Sequence, residues 1–405
     1  MYIKRTIEAA LKKVSGFFPI TMVTGPRQVG KTTVLQNCDP KREFISLDNL
    51  NIRQLAKSDP LAFLRRFKAP ILIDEIQYAP ELLPHIKEIV DREQKAGLYW
   101  ITGSQQFNLM RNVTESLAGR VGILKLQGLS QSEKQDRPYT SPFLPSVDLL
   151  RERAKINADT SEIYKTIWLG SFPKLFTGGN EYWEIFYSSY LNTYIERDIS
   201  DFKLVSSALD FTRFMQSLAA RTAQLLNYAD LAKDVGVSQP TIKSWISILQ
   251  SCGVIYLLPP YSNNLTNRAI KTPKVYFLDT GLACYLTKWN FWQTLEAGAM
   301  SGAIFETYVV SEILKSYWHN GKNLSAYFYR NKDSKENEID MILEENGAIY
   351  PIEIKRKTNP TNRDAKSFAL LRKINKNVKT SVIICNAPTY LPIGEDIYAM
   401  PISYI

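Results

Sequence analysis

A chain of 405 residues exceeds the size at which one hydrophobic core usually stops growing, and about 150 residues per domain leads us to expect three domains. With 45% hydrophobic and 22% charged residues, the composition is that of a folded globular protein and excludes global disorder. The net charge of +10 suggests an anionic partner, yet Lys plus Arg outnumber Asp plus Glu by 21 to 15 over residues 1–150, 15 to 13 over 151–300 and 14 to 12 over 301–405. More than half the excess lies in the first segment, so charge alone gives the later segments no claim on DNA.

Residues 1–7 lead into a mixed-charge helical pattern rather than an apolar signal core, and no apolar run approaches the roughly 20 residues of a membrane span. A cytoplasmic chain without a membrane partner is therefore expected. Cys38, Cys252, Cys284 and Cys385 are too scattered for a zinc pattern or a disulfide framework and are expected as reduced thiols.

Short apolar runs at residues 20–24, 44–47, 71–74, 99–102 and 122–126 alternate with helix-length segments. This alternation predicts an α/β fold with a parallel sheet covered on both faces, in a first domain over residues 1–135. The polar stretch that follows, with Pro138, Pro142 and Pro145, reads as a linker or extended arm over 136–159. Residues 160–222 read as helices whose aromatic residues, among them Trp168, Trp183, Tyr187 and Tyr190, are core at helical spacing. Next come a helix start at Tyr228, a turn at Gly236, a second start at Ser238-Gln239-Pro240-Thr241 and a strand at residues 253–257, which predict a winged helix-turn-helix and close a region over 160–260. Residues 261–405 have an α+β texture, with helices near 304–317 and 365–374 and strands near 326–329, 339–343, 350–355 and 381–385.

Gly25-Pro26-Arg27-Gln28-Val29-Gly30-Lys31-Thr32 satisfies G-x-x-x-x-G-K-[ST] between a predicted strand and a predicted helix, which is the context a P-loop requires. Its backbone N–H groups and the helix N-terminus suit phosphate, so Gly25 to Thr33 are the candidate residues for binding ATP. Lys31 is expected on the β- and γ-phosphates and Thr32 in the shell of Mg²⁺. The run Ile71-Leu72-Ile73-Asp74-Glu75 ends a strand in two carboxylates, Asp74 for Mg²⁺ and Glu75 to polarise the attacking water. Ser104, after the next strand, is a candidate sensor of the γ-phosphate or a plain helix cap. Arg120 is a candidate arginine finger reaching a neighbouring subunit, with a surface or intrachain ion pair as the alternative.

Near the carboxyl end, Asp340 precedes Asn346-Gly347 and then Glu353-Ile354-Lys355, a hairpin pattern that places Glu353 and Lys355 on one face. With Glu306 on the preceding helix, the acids Glu306, Asp340 and Glu353 could hold Mg²⁺ beside Lys355. This set resembles the restriction-endonuclease-like PD-(D/E)xK fold, although the proline of that motif is absent before Asp340. The whole chain resembles a family of prokaryotic AAA-type ATPases with a long uncharacterised C-terminal region. Thr24 to Thr32, Ile73-Asp74-Glu75-Ile76-Gln77, Thr102-Gly103-Ser104-Gln105, Ser116-Leu117-Ala118-Gly119-Arg120, Tyr194-Ile195-Glu196-Arg197-Asp198-Ile199, Tyr329-Arg330-Asn331 and Ile352-Glu353-Ile354-Lys355 carry that resemblance. It implies an ATPase domain joined to a winged helix and a nuclease-like domain. The Tyr194 to Ile199 stretch reads as a domain-packing helix face or, through Glu196 and Arg197, as a responder to nucleotide state. The leading expectation is an ATPase coupled to DNA binding or processing; a signalling or scaffold switch, with the later domains serving to pack, is the alternative. A homo-oligomer is a possible partner state under both.

Overall fold

The computed structural model describes residues 2–104, 113, 116–155, 162–194, 207–262, 272–330 and 338–405. Five strands, Ile20–Gly25 (β1), Glu43–Ser46 (β2), Ile71–Asp74 (β3), Tyr99–Ser104 (β4) and Val121–Lys125 (β5), form a parallel sheet in the order β2-β3-β4-β1-β5. The sequence reading placed all five within one or two residues. β1 lies between β4 and β5, with Gly25 opposite Ser104 and Thr24 opposite Lys125, and is buried along its whole length. Alternate residues of the strands face opposite sides. Ile20, Met22 and Ile73 enter a core with Phe63 and Ile86 on one face, while Val23, Leu72 and Leu124 enter a larger core on the other. The helix Ile7–Ser15 (α1) packs on that second face with Leu11, and Lys31–Cys38 (α2) with Val34 and Leu35.

The larger core does not stop at the domain edge. It continues through Phe143, Leu150, Trp168, Tyr187, Trp245 and Phe305 to Ile352. The segment expected as a linker over 136–159 is therefore packed where it is described: Phe143 and Leu150 are buried, and Val147–Arg153 is a helix capped by Ser146. Arg153 stacks 3.7 Å from the Tyr139 ring and donates to the Tyr404 carbonyl. Pro138, Pro142 and Pro145 interrupt regular structure but do not prevent burial.

Just before this segment lies a buried polar hub. The helix Gln131–Lys134 is held by a Ser130/Glu133 capping box, and the Glu133 side chain has no exposure. Arg5 donates to Glu133 Oε2 at 3.0 Å, to the Val29 carbonyl at 2.9 Å and to the Gln127 carbonyl at 2.8 Å. The other Glu133 oxygen accepts from the Thr6 amide at 2.8 Å and meets His319 Nδ1 at 3.1 Å, while His319 Nε2 accepts from the Gln127 amide at 3.1 Å. That acceptor role fixes His319 as the Nδ1–H neutral tautomer, in keeping with burial, which lowers its pKa below the ordinary value. Burial would raise the Glu133 carboxyl, but the Arg5 charge and the hydrogen bonds outweigh it and hold the group well below the usual carboxylate range.

The described residues of 207–277 include the helices Ala208–Ala219, Tyr228–Val235 and Gln239–Ser251 and the strands Gln224–Leu225 (β6), Ile255–Leu258 (β7) and Lys274–Phe277 (β8), in the sheet order β6-β8-β7. Gly236, at φ +81°, makes the turn between the second and third helices. The carboxyl part sets the helix Ser301–Trp318 against a six-stranded sheet, β13-β14-β12-β11-β10-β9, formed by Ala326–Arg330 (β9), Glu338–Glu345 (β10), Ala348–Ile354 (β11), Ser381–Cys385 (β12), Leu391–Gly394 (β13) and Ile397–Pro401 (β14). Asn346 and Gly347, both at positive φ, close the expected β10–β11 hairpin. The sequence reading missed β13 and β14, because Pro392 and Gly394 mask a strand that is tolerated only at a sheet edge.

Two outcomes test the hub. Removing one partner of a buried ion pair costs about 3–5 kcal/mol, so Glu133→Ala should lose that much stability in urea; a loss below about 1 kcal/mol contradicts the hub. Because folded His319 resists protonation, its stabilising contribution is complete above the unfolded value of about 6.5 and declines as pH falls below it. Wild type should lose stability from pH 8 to 5 more steeply than His319→Gln, and equal slopes would contradict the neutral buried assignment.

Candidate active site

The site begins where β1 ends. A side chain at Gly25 would place its Cβ 1.9 Å from the Leu126 carbonyl oxygen, so only glycine lets β1 turn beside β5. Gln28 at φ +62° and Gly30 at φ +90° curl the following loop, and α2 starts at Lys31 with its N-terminus at the loop. Pro26 and Val29 are buried, whereas Gln28 is exposed. The Val29 carbonyl is turned away to Arg5. Lys31 is 6% exposed and spans the loop, its ammonium donating to the carbonyls of Gly25 at 3.0 Å and Pro26 at 2.8 Å.

β3 delivers Asp74 to the same place. Thr32 donates to Asp74 Oδ1 at 2.6 Å, and Thr102 of β4 donates to the same oxygen at 2.5 Å. Thr102 Oγ1 also accepts from the Glu75 amide at 3.0 Å. Glu75 itself is left-handed, at φ +58°, and its carboxylate accepts from Gln77. The turn directs Glu75 to the wall of a cavity of about 490 Å³ that Arg27, Gln28, Gly30, Lys31, Thr32 and Thr33 also line. The Thr32 hydroxyl and Asp74 carboxylate suit Mg²⁺, which takes one or two protein oxygens and keeps the rest of its shell for water and phosphate.

Sequence reasoning missed several of these parts. Thr102 was read only as the strand residue before Gly103-Ser104. Pro173, Lys174 and Thr193, from the helical region, line the far wall of the cavity. A second cavity of about 290 Å³ adjoins it at Gly30 and Thr33 and is walled by Tyr2, Ile3, Leu129, Pro173 and Lys174. The Ser130-Gln131-Ser132-Glu133 capping box was legible as S-x-x-E but lay at the start of the expected linker. No local pattern marks Lys174, because its place depends on how two regions pack.

Two further candidate residues lie at the end of β4 and just before β5. The backbone of Ser104 pairs beside Gly25, but its side chain lies outside the described residues. Arg120 belongs to the opposite edge of the sheet, where its carbonyl accepts from the Ile20 amide at the start of β1. Its guanidinium is paired with Asp91, with Nη2–Oδ2 at 3.0 Å, so the chain does not bring it to its own cavity. Of the Tyr194 to Ile199 stretch, all but the backbone of Tyr194 lies outside the described residues.

The carboxyl-terminal set does assemble, with an addition. A bulge in β10 between Ile339 and Ile342 brackets Asp340, which accepts from the Ile354 amide at 2.8 Å. Lys355 is 2.5 Å from Glu353 and 4.0 Å from Asp340. Lys274 of β8, unforeseen from the sequence, lies among the acids: 3.1 Å from Glu306, 3.9 Å from Asp340 and in contact with Glu338. Burial, followed by the nearby Asp340 charge, pushes Glu306 up to about 7 and Glu353 well above its ordinary value. Among the described residues, no group of three or more His, Cys, Asp or Glu could hold a metal ion. The three acids expected to hold Mg²⁺, Glu306, Asp340 and Glu353, lie near enough for the Asp340 charge to raise the pKa of both glutamates, and the Lys274 ammonium stands beside Glu306 and Asp340.

Comparison with known proteins supports a P-loop ATPase domain. Residues 18–134 match an AAA domain, 160–293 a domain of unknown function (DUF8612) and 301–405 another (DUF4143). Uncharacterised proteins of Mycobacterium tuberculosis and Mycobacterium bovis are each 28% identical over 407 residues, covering 99% of this chain and 84% of theirs. Among solved structures, a Walker-type ATPase of Pyrococcus abyssi covers 69% of this chain and 94% of its own at 16% identity and a TM-score of 0.42. AMPPCP-bound DnaA from Aquifex aeolicus covers 60% and 85% at 14% identity and a TM-score of 0.23. Neither structural likeness is close enough to argue from.

If Thr102 holds Asp74 and the Glu75 backbone in place, Thr102→Val should lower ATP turnover by about tenfold or more with the fold retained, in line with losing hydrogen bonds to a charged group. Turnover within about twofold of wild type would leave Thr102 a strand residue only.

Proposed function

We propose, starting from an AAA-type P-loop ATPase domain over residues 18–134, that the cavity at Gly25 to Thr33 binds and hydrolyses MgATP. The observation that carries this reading is the convergence of Lys31, Thr32, Asp74 and Glu75 on one cavity beside the amino end of α2. On binding, Lys31 exchanges its two loop carbonyls for phosphate oxygens. Thr32 and Asp74 would hold Mg²⁺, which would supply positive charge against the phosphates. Glu75, on the cavity wall and not bonded to Thr32, accepts the proton of the attacking water. The adjoining cavity, with Tyr2, Ile3 and Leu129, supplies an apolar seat for the base.

Pro173, Lys174 and Thr193 close the same cavity from another region, which supports a nucleotide-dependent switch as the output: loss of the γ-phosphate changes what Lys174 can contact. Arg120 retains one route to a phosphate, from a second copy of the chain, once Asp91 releases it. A second reading, coupling to DNA, draws on residues 207–277, whose helix and strand order suits a winged helix. Against it, the exposed residues of the helix Gln239–Ser251 include Gln239, Pro240, Lys243, Ser247 and Gln250, a single cation. The basic triplet Lys355-Arg356-Lys357 is also engaged, with Glu353, the Glu296 carbonyl and Asp364 respectively. The switch is therefore the better-supported output.

ATP turnover measured with a panel of single-stranded, duplex and branched DNA separates these readings. The switch predicts rates within about twofold of the DNA-free rate, while stimulation of about tenfold or more would establish the DNA-coupled reading. Lys31→Ala and Glu75→Gln should abolish turnover in a folded chain, and undiminished activity in both would remove the site assignment.

A further inference from the structure

From the placement of Lys274 we infer that this residue is the resident cation of the C-terminal carboxylate cluster, which accordingly takes no divalent metal and instead fixes β8 to the carboxyl-terminal part.

A metal site needs oxygens converging on one empty point at about 2.0–2.6 Å. Here Nζ of Lys274 stands among three of the carboxylates, 3.1 Å from Glu306 Oε1, 3.9 Å from Asp340 Oδ1 and touching the Glu338 carboxylate. The Lys274 side chain is 5% exposed, so the ammonium has no open path to swing into water. Two further oxygens are committed, while Glu353 Oε2 is buried without a hydrogen-bond partner. Asp340 Oδ2 accepts from the Ile354 amide at 2.8 Å, and Glu353 Oε1 is 2.5 Å from Lys355. A divalent ion at that point would have to displace a buried ammonium from its ion pairs, which the attraction of Glu306 and Glu338 for Lys274 opposes.

The lysine comes from a different sheet from its partners, and this gives the cluster its purpose. Glu306 lies on the helix Ser301–Trp318, Glu338 and Asp340 lie on β10, and Lys274 lies on β8. Tyr276, two residues further along the same face of β8, donates to Glu306 Oε1 at 2.6 Å. One carboxylate is thus gripped twice by the same strand. In a true metal site these acids would hold an exchangeable ion; here they hold a strand through its own side chains. The cluster is a joint between the three-stranded sheet and the carboxyl-terminal domain, so the residues that resemble a nuclease centre do not cleave phosphodiesters.

Manganese titrated into the nucleotide-free full chain, with free Mn²⁺ followed by electron paramagnetic resonance, tests this. Wild type and Asp340→Asn should take up Mn²⁺ identically, since any binding at Asp74 is common to both. Lys274→Met should gain one site at least about tenfold tighter than any wild-type binding, and Lys274→Met/Asp340→Asn should lose it again. Uptake by wild type that Asp340→Asn abolishes overturns the inference, as does a Lys274→Met chain, folded by circular dichroism, that gains no site. Should Lys274→Met fail to fold, the comparison of wild type with Asp340→Asn still decides.

Discussion

The Arg5 guanidinium joins the carbonyl of Val29, inside the phosphate-binding loop, to the carboxylate of Glu133, outside the sheet. A buried arginine requires such a partner, because an unpaired charge in this environment costs several kcal/mol. Glu133 in turn engages His319 at the end of the long carboxyl-terminal helix, and the neighbouring Gln131 amide donates to Glu312 of that helix at 2.7 Å. The loop that receives phosphate is therefore braced by residues more than a hundred positions away. A shift in its backbone is opposed by, or transmitted through, a rigid hydrogen-bonded path.

The same economy shapes the site itself. Asp74 shares one oxygen between Thr32 of α2 and Thr102 of β4, so strand, loop and helix are tied at a single carboxylate. Because β1 and β3 are parallel and both abut β4, their carboxyl ends reach the cavity together, and the left-handed turn at Glu75 places a second carboxylate on its wall. That geometry keeps the carboxylate bonded to Thr32 apart from the one on the cavity wall, as the proposed division between holding Mg²⁺ and accepting a proton requires.

The parallel sheet, the P-loop and the Asp74-Glu75 pair were legible because each rests on local pattern: apolar runs, glycines at strained turns and a strand ending in carboxylates. Other features were invisible for a physical reason. Lys174 and Thr193 reach the cavity, and Lys274 reaches Glu306, only through packing between segments far apart in sequence. The D…ExK pattern near the carboxyl end shows the limit from the other side. Its residues gather as the spacing predicts, yet the pattern gives no sign of the lysine on a separate strand that pairs with Glu306 and Glu338. The prolines after Gln135 misled in the same way, since a chain without regular structure still buries Phe143.

If one cavity receives MgATP, its occupancy should be felt through the hub and the opposing helix. Hydrogen exchange of the Glu75→Gln chain, with and without a non-hydrolysable MgATP analogue, measures this most directly. The account predicts slower exchange in residues 25–33, in 173–178 and in 127–134 when nucleotide binds. Protection confined to the loop at 25–33, with no change in the other two segments, would contradict it.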